Sequence, residues 1–276
     1  ADMARLPLAP RLAALVAGAG TPGERALAAE IAALAGERGI GGSSADIRER
    51  LSRFRTDRSP RARTLQQQAK GWGKGARPEG DVARLLAKVW PDQIARARPG
   101  SAGVYLMASG RAAILAETDG LAKSDWLVVA DLGGASGQPR ITLAAPLIET
   151  DALAWGGVQT EERAEFDSKT ARFTARRVRA MGAIILSEAP LPKPAPRVAA
   201  QAMLDAVLAE GLDAIGAERV VEETLGRLAV LERAKLIEPL AITKERLREE
   251  AGDWLMPLLK RQGARVPSDG HVLDAL

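Results

Sequence analysis

The chain has 276 residues, 46% of them hydrophobic and 27% charged, with 39 Lys+Arg against 35 Asp+Glu for a formal net charge of +4. That is globular composition, which argues against a wholly disordered chain. There is no cysteine and one histidine, His271, so disulfide frameworks, thiolate zinc sites, cysteine nucleophiles and multi-histidine metal centres are excluded, and a Ser/His/Asp triad would depend on that one residue.

The start, through Arg5 and Arg11 to the apolar stretch Leu12–Ala17, is too short and too interrupted for a signal peptide and reads as a cytosolic helix. The longest apolar runs are about six residues where a membrane span needs about 20, so no membrane partner and a cytoplasmic location are expected. Residues 12–98 follow a helical pattern. Leu12, Leu15 and Val16 share a face; Pro22 and Glu24 open a second helix carrying Leu27, Ile31 and Leu34. Asp46 or Ser44 would cap a third through Ile47, Leu51 and Phe54. Residues 70–80, rich in glycine and basic residues, read as a loop. Asp81 then caps a helix with Val82, Leu85, Leu86 and Val89 at i, i+3, i+4 and i+7.

At Pro99-Gly100 short apolar runs begin to alternate with turn residues: 104–107, 112–115, 126–132 and 140–147, then 166–179 and 183–187. Gly133-Gly134 and Ser136-Gly137 read as a hairpin turn, and the series predicts a small barrel or sandwich. Pro190, Pro192, Pro194 and Pro196 read as a stiff spacer. Helices follow at 198–208, 220–231 and 247–259, the last interrupted by Pro257. The pattern predicts an α+β multidomain chain: a helical bundle over 1–98, a small antiparallel β-domain over 99–190, and a C-terminal helical region over 191–276 that reads as truncated; both ends read as cut.

Enzyme signatures are missing. Gly18-Ala-Gly20 and Gly71-Trp-Gly73-Lys74-Gly75 follow no strand and lack the Gly-Lys-Ser/Thr ending of a phosphate loop. The pairs Glu161-Glu162 and Glu249-Glu250 are adjacent and do not converge, and the Glu-Thr-Asp segments at 117–119 and 149–151 read as surface. What stands out is charge. Arginine outnumbers lysine 30 to 9. Seven arginines fall between 48 and 63: Arg48, Arg50, Arg53, Arg55, Arg58, Arg61 and Arg63, opposed only by Glu49 and Asp57. Lys70, Lys74 and Arg77 extend the run around Trp72. Fixed positive charge with one ring suits a nucleic-acid backbone; the plain alternative is a solvated helix face and a mobile loop. A second cluster holds Lys169, Arg172, Arg176, Arg177 and Arg179. A strand over 171–178 would put Arg172, Thr174 and Arg176 on one exposed face of the barrel, with Phe173 and Ala175 in its core.

The order of blocks resembles the C-terminal region of HrpB-type DExH-box ATP-dependent helicases. Leu6-Pro-Leu-Ala-Pro-Arg-Leu-Ala13 is similar to that family's entry into its ratchet-like helical bundle, with Ala9 where the family often has His. The stretch from Asp81 to Ala95 resembles its helix followed by Tyr-Pro-Asp-Arg-Ile-Ala, departing at Trp90 and Gln93. Tyr105–Ala113, Trp126–Leu132, Ile141–Leu147, Gly182–Leu191 and Trp254–Leu259 resemble later blocks. The likeness implies an OB-like β-domain and an accessory nucleic-acid-binding region of an RNA helicase, guiding a single strand for RecA-like motor domains supplied in cis. ATP and magnesium would bind in that motor. This chain itself would carry no catalytic residue, cofactor or metal. The implied strand contacts are Arg48, Arg53, Arg55, Arg58, Arg61, Arg63, Trp72, Lys74, Arg172 and Arg176. The competing reading is a protein-interaction scaffold that docks the motor to an unknown partner and touches no nucleic acid.

Overall fold

Helix caps written in the sequence set the N-terminal architecture. The computed structural model describes residues 3–35, 37, 39–134, 139–239 and 241–276. Among these the chain divides into two compact units, Ala1–Gln159 with Ala180–Leu186, and Thr160–Arg179 with Ser187–Leu276.

Unit 1 begins with α1 (Pro10–Ala17), entered through Pro10, and the alanine-rich α2 (Pro22–Ala35). In α3 (Ile47–Thr56) the Asp46 carboxylate accepts the Arg48 N–H. In α4 (Pro60–Trp72) the Ser59 hydroxyl accepts the Ala62 N–H and Pro60 takes the first position, where its missing N–H does no harm. In α5 (Val82–Val89) Asp81 accepts the Arg84 N–H. The loop expected over 70–80 is shorter, because α4 continues to Trp72 and ends in hydrogen bonds from Lys74 N to Gly71 O (3.1 Å) and Gly75 N to Lys70 O (2.9 Å).

Five strands then close a barrel: β1 (Ile94–Ala97), β2 (Val104–Met107), β3 (Ala112–Ile114), β4 (Trp126–Gly133) and β5 (Arg140–Pro146), in the order β1–β2–β3–β5–β4 with β1 also pairing β4. β3 meets β5 in parallel, Ile114 opposite Arg140; the other neighbours run antiparallel. The β4–β5 pairing is as read, while Ser136 and Gly137 lie outside the described residues. Period-two alternation sends Ala95, Leu127, Val129 and Ala144 into the barrel with Tyr105 and Met107, and Ile94, Trp126, Val128 and Ala145 toward the helices. Trp126–Val129 is buried on both faces, which is why it reads as one apolar run. Helices and barrel thus share one hydrophobic cluster, and position 98/99 falls inside unit 1. The Tyr105 hydroxyl lies 2.9 and 2.8 Å from the Leu121 and Ser124 carbonyl oxygens, to which it donates. The stretch at 149–151 opens a further helix, α6 (Glu149–Trp155).

A separate sheet, in order, is β6 (Gln159–Asp167), β7 (Arg172–Met181) and β8 (Ile184–Leu191). The run at 166–179 is therefore two strands around a turn at 168–171, and the 171–178 strand is not part of the barrel. The hydrogen-bonding capacity of the barrel is already closed by β1 against β4, leaving no edge for β7. The expected proline spacer is not one segment: Pro190 lies in β8 and Pro196 opens α7 (Pro196–Glu210). In unit 2, α7 is followed by α8 (Glu218–Arg233), α9 (Lys244–Glu249), α10 (Ala251–Gln262) and α11 (Asp269–Leu273). The helix expected over 247–259 is two helices meeting at Glu250. Its core gathers Phe166, Met203, Val207, Leu212, Val221, Leu255 and Leu259.

Candidate functional site

The arginine run divides at the turn between α3 and α4. On α3 each guanidinium has a protein partner. Arg48 holds Asp46 at 2.6 Å, and that carboxylate raises the guanidinium above its ordinary pKa. Arg53 lies 3.6 Å from Glu49, one turn earlier. Arg55 donates twice to Glu30 of α2, at 2.9 and 2.6 Å. Arg50 is 8% exposed, and it donates to the carbonyls of Ile40 (3.3 and 3.0 Å) and Glu37 (3.3 Å). Burial lowers its pKa, so it fastens the loop before α3 rather than facing a ligand.

On α4 the pattern reverses. Arg61 pairs with Glu37. Arg58, Arg63, Lys70, Lys74 and Arg77 are exposed and form no ion pair among the described residues. Arg63, Gln67 and Lys70 recur at i, i+4 and i+7 and share a helix face, with Lys74 just past the helix end. The opposite face, Ala62, Leu65 and Ala69, is buried. Trp72 is half-buried against the unit 1 core, its carbonyl accepting from Arg25 (3.1 Å), so its ring belongs to the packing at the end of α4. At Gly73 a Cβ would stand 2.8 Å from Ala26 Cα, which fixes α4 against α2.

The second cluster keeps its expected face but on another sheet. Arg172, Thr174 and Arg176 are exposed, whereas Phe173 and Ala175 turn inward; Phe173 meets Phe166 with ring centroids 5.0 Å apart. Arg176 pairs with Glu188 of β8 at 2.9 Å, and Arg177 approaches Glu162 of β6 at 3.9 Å. Arg172 and Arg179 form no ion pair among the described residues. The strand is thus mixed in charge, with Arg172 the one cation on the Arg172–Thr174–Arg176 face that forms no ion pair among the described residues.

Other contacts escaped the sequence. Arg84 donates to Asp151 (2.9 Å), Arg96 stacks over Trp126 (5.4 Å to the centroid) and Lys88 lies over Trp155 (5.3 Å). Arg48, Arg84, Asp81, Asp125 and Asp151 line a groove of about 590 Å³ in unit 1, and its cations are already tied to acids. Partners tens of residues apart leave no local signal. His271 stands 2.9 Å from the Ser268 hydroxyl at the start of α11, a helix-capping contact, while the neighbouring Asp269 is held by Arg219. Among the described residues no group of three His, Asp or Glu side chains could hold a metal, and no helix is long and apolar enough to cross a membrane.

With this geometry in view the comparisons are informative. No protein-family profile matches the chain. It is 33% identical over 263 residues to the ATP-dependent RNA helicase HrpB of Escherichia coli, a match covering 92% of this chain and 32% of that protein. Two crystal structures align with all of it: the E. coli DExH-box NTPase HrpB (TM-score 0.67, 28% identity) and the Escherichia coli DEAH/RHA helicase HrpB (TM-score 0.68, 26% identity), each covered to 35%. The chain thus spans about a third of the length of the relatives it matches. The HrpB-type resemblance carried by the sequence blocks is borne out over nearly the whole chain.

Proposed function

We propose, because an HrpB-type helicase matches it over 92% of its length, that the chain is an accessory nucleic-acid-binding region of an ATP-dependent RNA helicase. That end-to-end match is the observation that carries the reading. The five-stranded closure β1–β2–β3–β5–β4 supports it as an OB-like barrel, an architecture that binds oligonucleotides. The region holds and guides a single strand, RNA in this reading, by fixed positive charge on α4 and β7. RecA-like motor domains in cis bind ATP and magnesium and carry out hydrolysis. In this reading the hydrolysis falls to the motor, and the cations of this chain position the strand.

A second reading, a scaffold that docks the motor to a protein partner, draws on the far half of α8 and the turn after it. There Val230, Leu231 and Leu236 are 56%, 37% and 71% exposed. Titration of a labelled RNA single strand across a salt series separates the two. The helicase reading expects binding at low salt whose log affinity falls linearly with log salt, by about 0.7 per phosphate contact. Absence of binding at low salt leaves the scaffold.

A further inference from the structure

We propose that α4 grips the sugar–phosphate backbone alone, through Arg63, Lys70 and Lys74, and that no base is stacked anywhere on this chain. The ligand class is then any nucleic-acid strand irrespective of base, and the α3 arginines contribute nothing to holding it. This deepens the nucleic-acid reading above and rests on it.

The first support is the fate of the rings. Single-strand binders that hold bases present exposed aromatic side chains for them. The chain has five Trp, one Tyr and three Phe. Phe54, Tyr105, Trp90, Trp126 and Phe166 are buried. Trp72, Phe173 and Trp254 are partly buried against the two cores, and Trp254 donates its ring N–H to the Leu247 carbonyl (2.7 Å). Trp155 is 39% exposed, but the Lys88 ammonium occupies its face. Among the Trp, Tyr and Phe rings none is left unengaged to receive a base, and the exposed His271 ring is engaged by the Ser268 hydroxyl at the start of α11.

The second is the partner census along one charge run. Arg48, Arg53, Arg55 and Arg61 are bound to carboxylates, and Arg50 is bound to carbonyls. An arginine whose charge is already met offers little to a phosphate. Arg58, Arg63, Lys70, Lys74 and Arg77 remain without an ion pair among the described residues, and of these Arg63 and Lys70 lie seven residues apart on one rigid helix. At 1.5 Å per residue that is about 10 Å, roughly three nucleotides of a stacked strand at ~3.4 Å each. Glu30 lines the α2–α4 groove together with Lys70 and is already engaged by Arg55.

The third is Lys74. It sits at φ +55°, left-handed, in the position after the helix where the chain reverses. Glycine is the residue favoured there. A lysine in its place adds a third free cation at the end of the Arg63–Lys70 stripe.

The test uses the whole chain with two probes: a labelled RNA single strand and an abasic sugar–phosphate oligomer of equal length. Two charge-matched variants are compared, R63Q/K70Q and R53Q/R55Q. Expected are near-equal affinities of the unmodified chain for both probes. R63Q/K70Q should lose affinity for both, on the order of tenfold, with a salt slope flatter by about 1.4 for two lost contacts. R53Q/R55Q should bind within about threefold of the unmodified chain. RNA binding that collapses on the abasic probe overturns the proposal in favour of stacking. Equal losses in the two variants overturn it in favour of a grip spread over the whole run. Failure to bind either probe at low salt overturns the nucleic-acid reading itself, and is distinguishable because the other two outcomes leave RNA binding in place.

Discussion

α3 and α4 are consecutive arginine-bearing helices whose cations meet different surroundings. In sequence their arginines form one uninterrupted run, and nothing local marks where one role ends. In the fold, α3 lies where its neighbours bring acids and carbonyls: Glu30 from α2, Asp46 from its own cap, and the carbonyls of Glu37 and Ile40 from the loop before it. α4 presents its exposed face to solvent, and apart from Arg61 its cations stay unpaired among the described residues. A basic run is therefore an upper bound on a basic surface. What separates the two helices is which partners the tertiary fold delivers to each.

The largest effect that sharpens this contrast is expected at Arg50. Its guanidinium satisfies two carbonyl groups of the loop leading into α3. That loop is tightly seated: Gly41 has φ +76°, and a Cβ there would come within 2.6 Å of the Arg50 carbonyl oxygen. Arg50→Met keeps the aliphatic stem and removes the donors. The carbonyls then lose their protein partner, and a loss of about 3 kcal/mol in unfolding free energy is expected. Arg53→Met removes only an exposed i,i+4 pair and should cost about 0.5 kcal/mol or less. Urea midpoints at constant m-value measure both. Equal costs would erase the distinction between a structural and a solvated arginine in the same helix.

The caps and periodicities that were legible in the sequence are those whose partners lie within one turn. Asp46 and Asp81 are read as caps from position alone, and α5 from its apolar spacing. Arg172 and Arg176 are read onto an exposed face because strand alternation is local. The illegible parts depend on distance. That β7 joins β6 and β8 instead of the barrel follows from β1 closing on β4, a pairing across more than thirty residues of chain. β1 itself, Ile94–Ala97, escapes notice because four residues following Pro91 carry no alternation long enough to read. The division of the arginine run is invisible for the same reason: Glu30 and Arg55 meet 25 residues apart.

A smaller effect is expected at Lys74, and its sign is the informative part. Lys74→Gly relieves the left-handed backbone at the end of α4, which should stabilise the fold by about 1 kcal/mol. The same change deletes a free cation and should weaken RNA binding by several-fold while flattening the salt slope by about 0.7. Thermal midpoint and binding therefore move in opposite directions. A variant that is stabilised and binds unchanged would show that Lys74 only terminates the helix.

The smallest effect extends the comparison from α4 to β7. On α4 the cations of the stripe are free, whereas on β7 Arg176 is held by Glu188 at 2.9 Å and only Arg172 on that face is unpaired. Arg176 is largely solvated and Glu188 is partly exposed, with side-chain exposures of 58% and 34%, so the ion pair contributes little to stability. Its consequence for a strand is different: a phosphate approaching Arg176 must compete with the carboxylate and meets its negative charge. Glu188→Gln keeps the size and hydrogen-bonding capacity of the side chain and removes the charge. If β7 lies on the strand path, the substitution should raise RNA affinity about twofold, since an exposed pair is worth ~0.5 kcal/mol, and steepen the salt slope as Arg176 becomes available. Unfolding free energy should change by no more than about 0.5 kcal/mol. Affinity and slope that both stay fixed would confine the strand to α4 and leave the β7 cations as a solvated face.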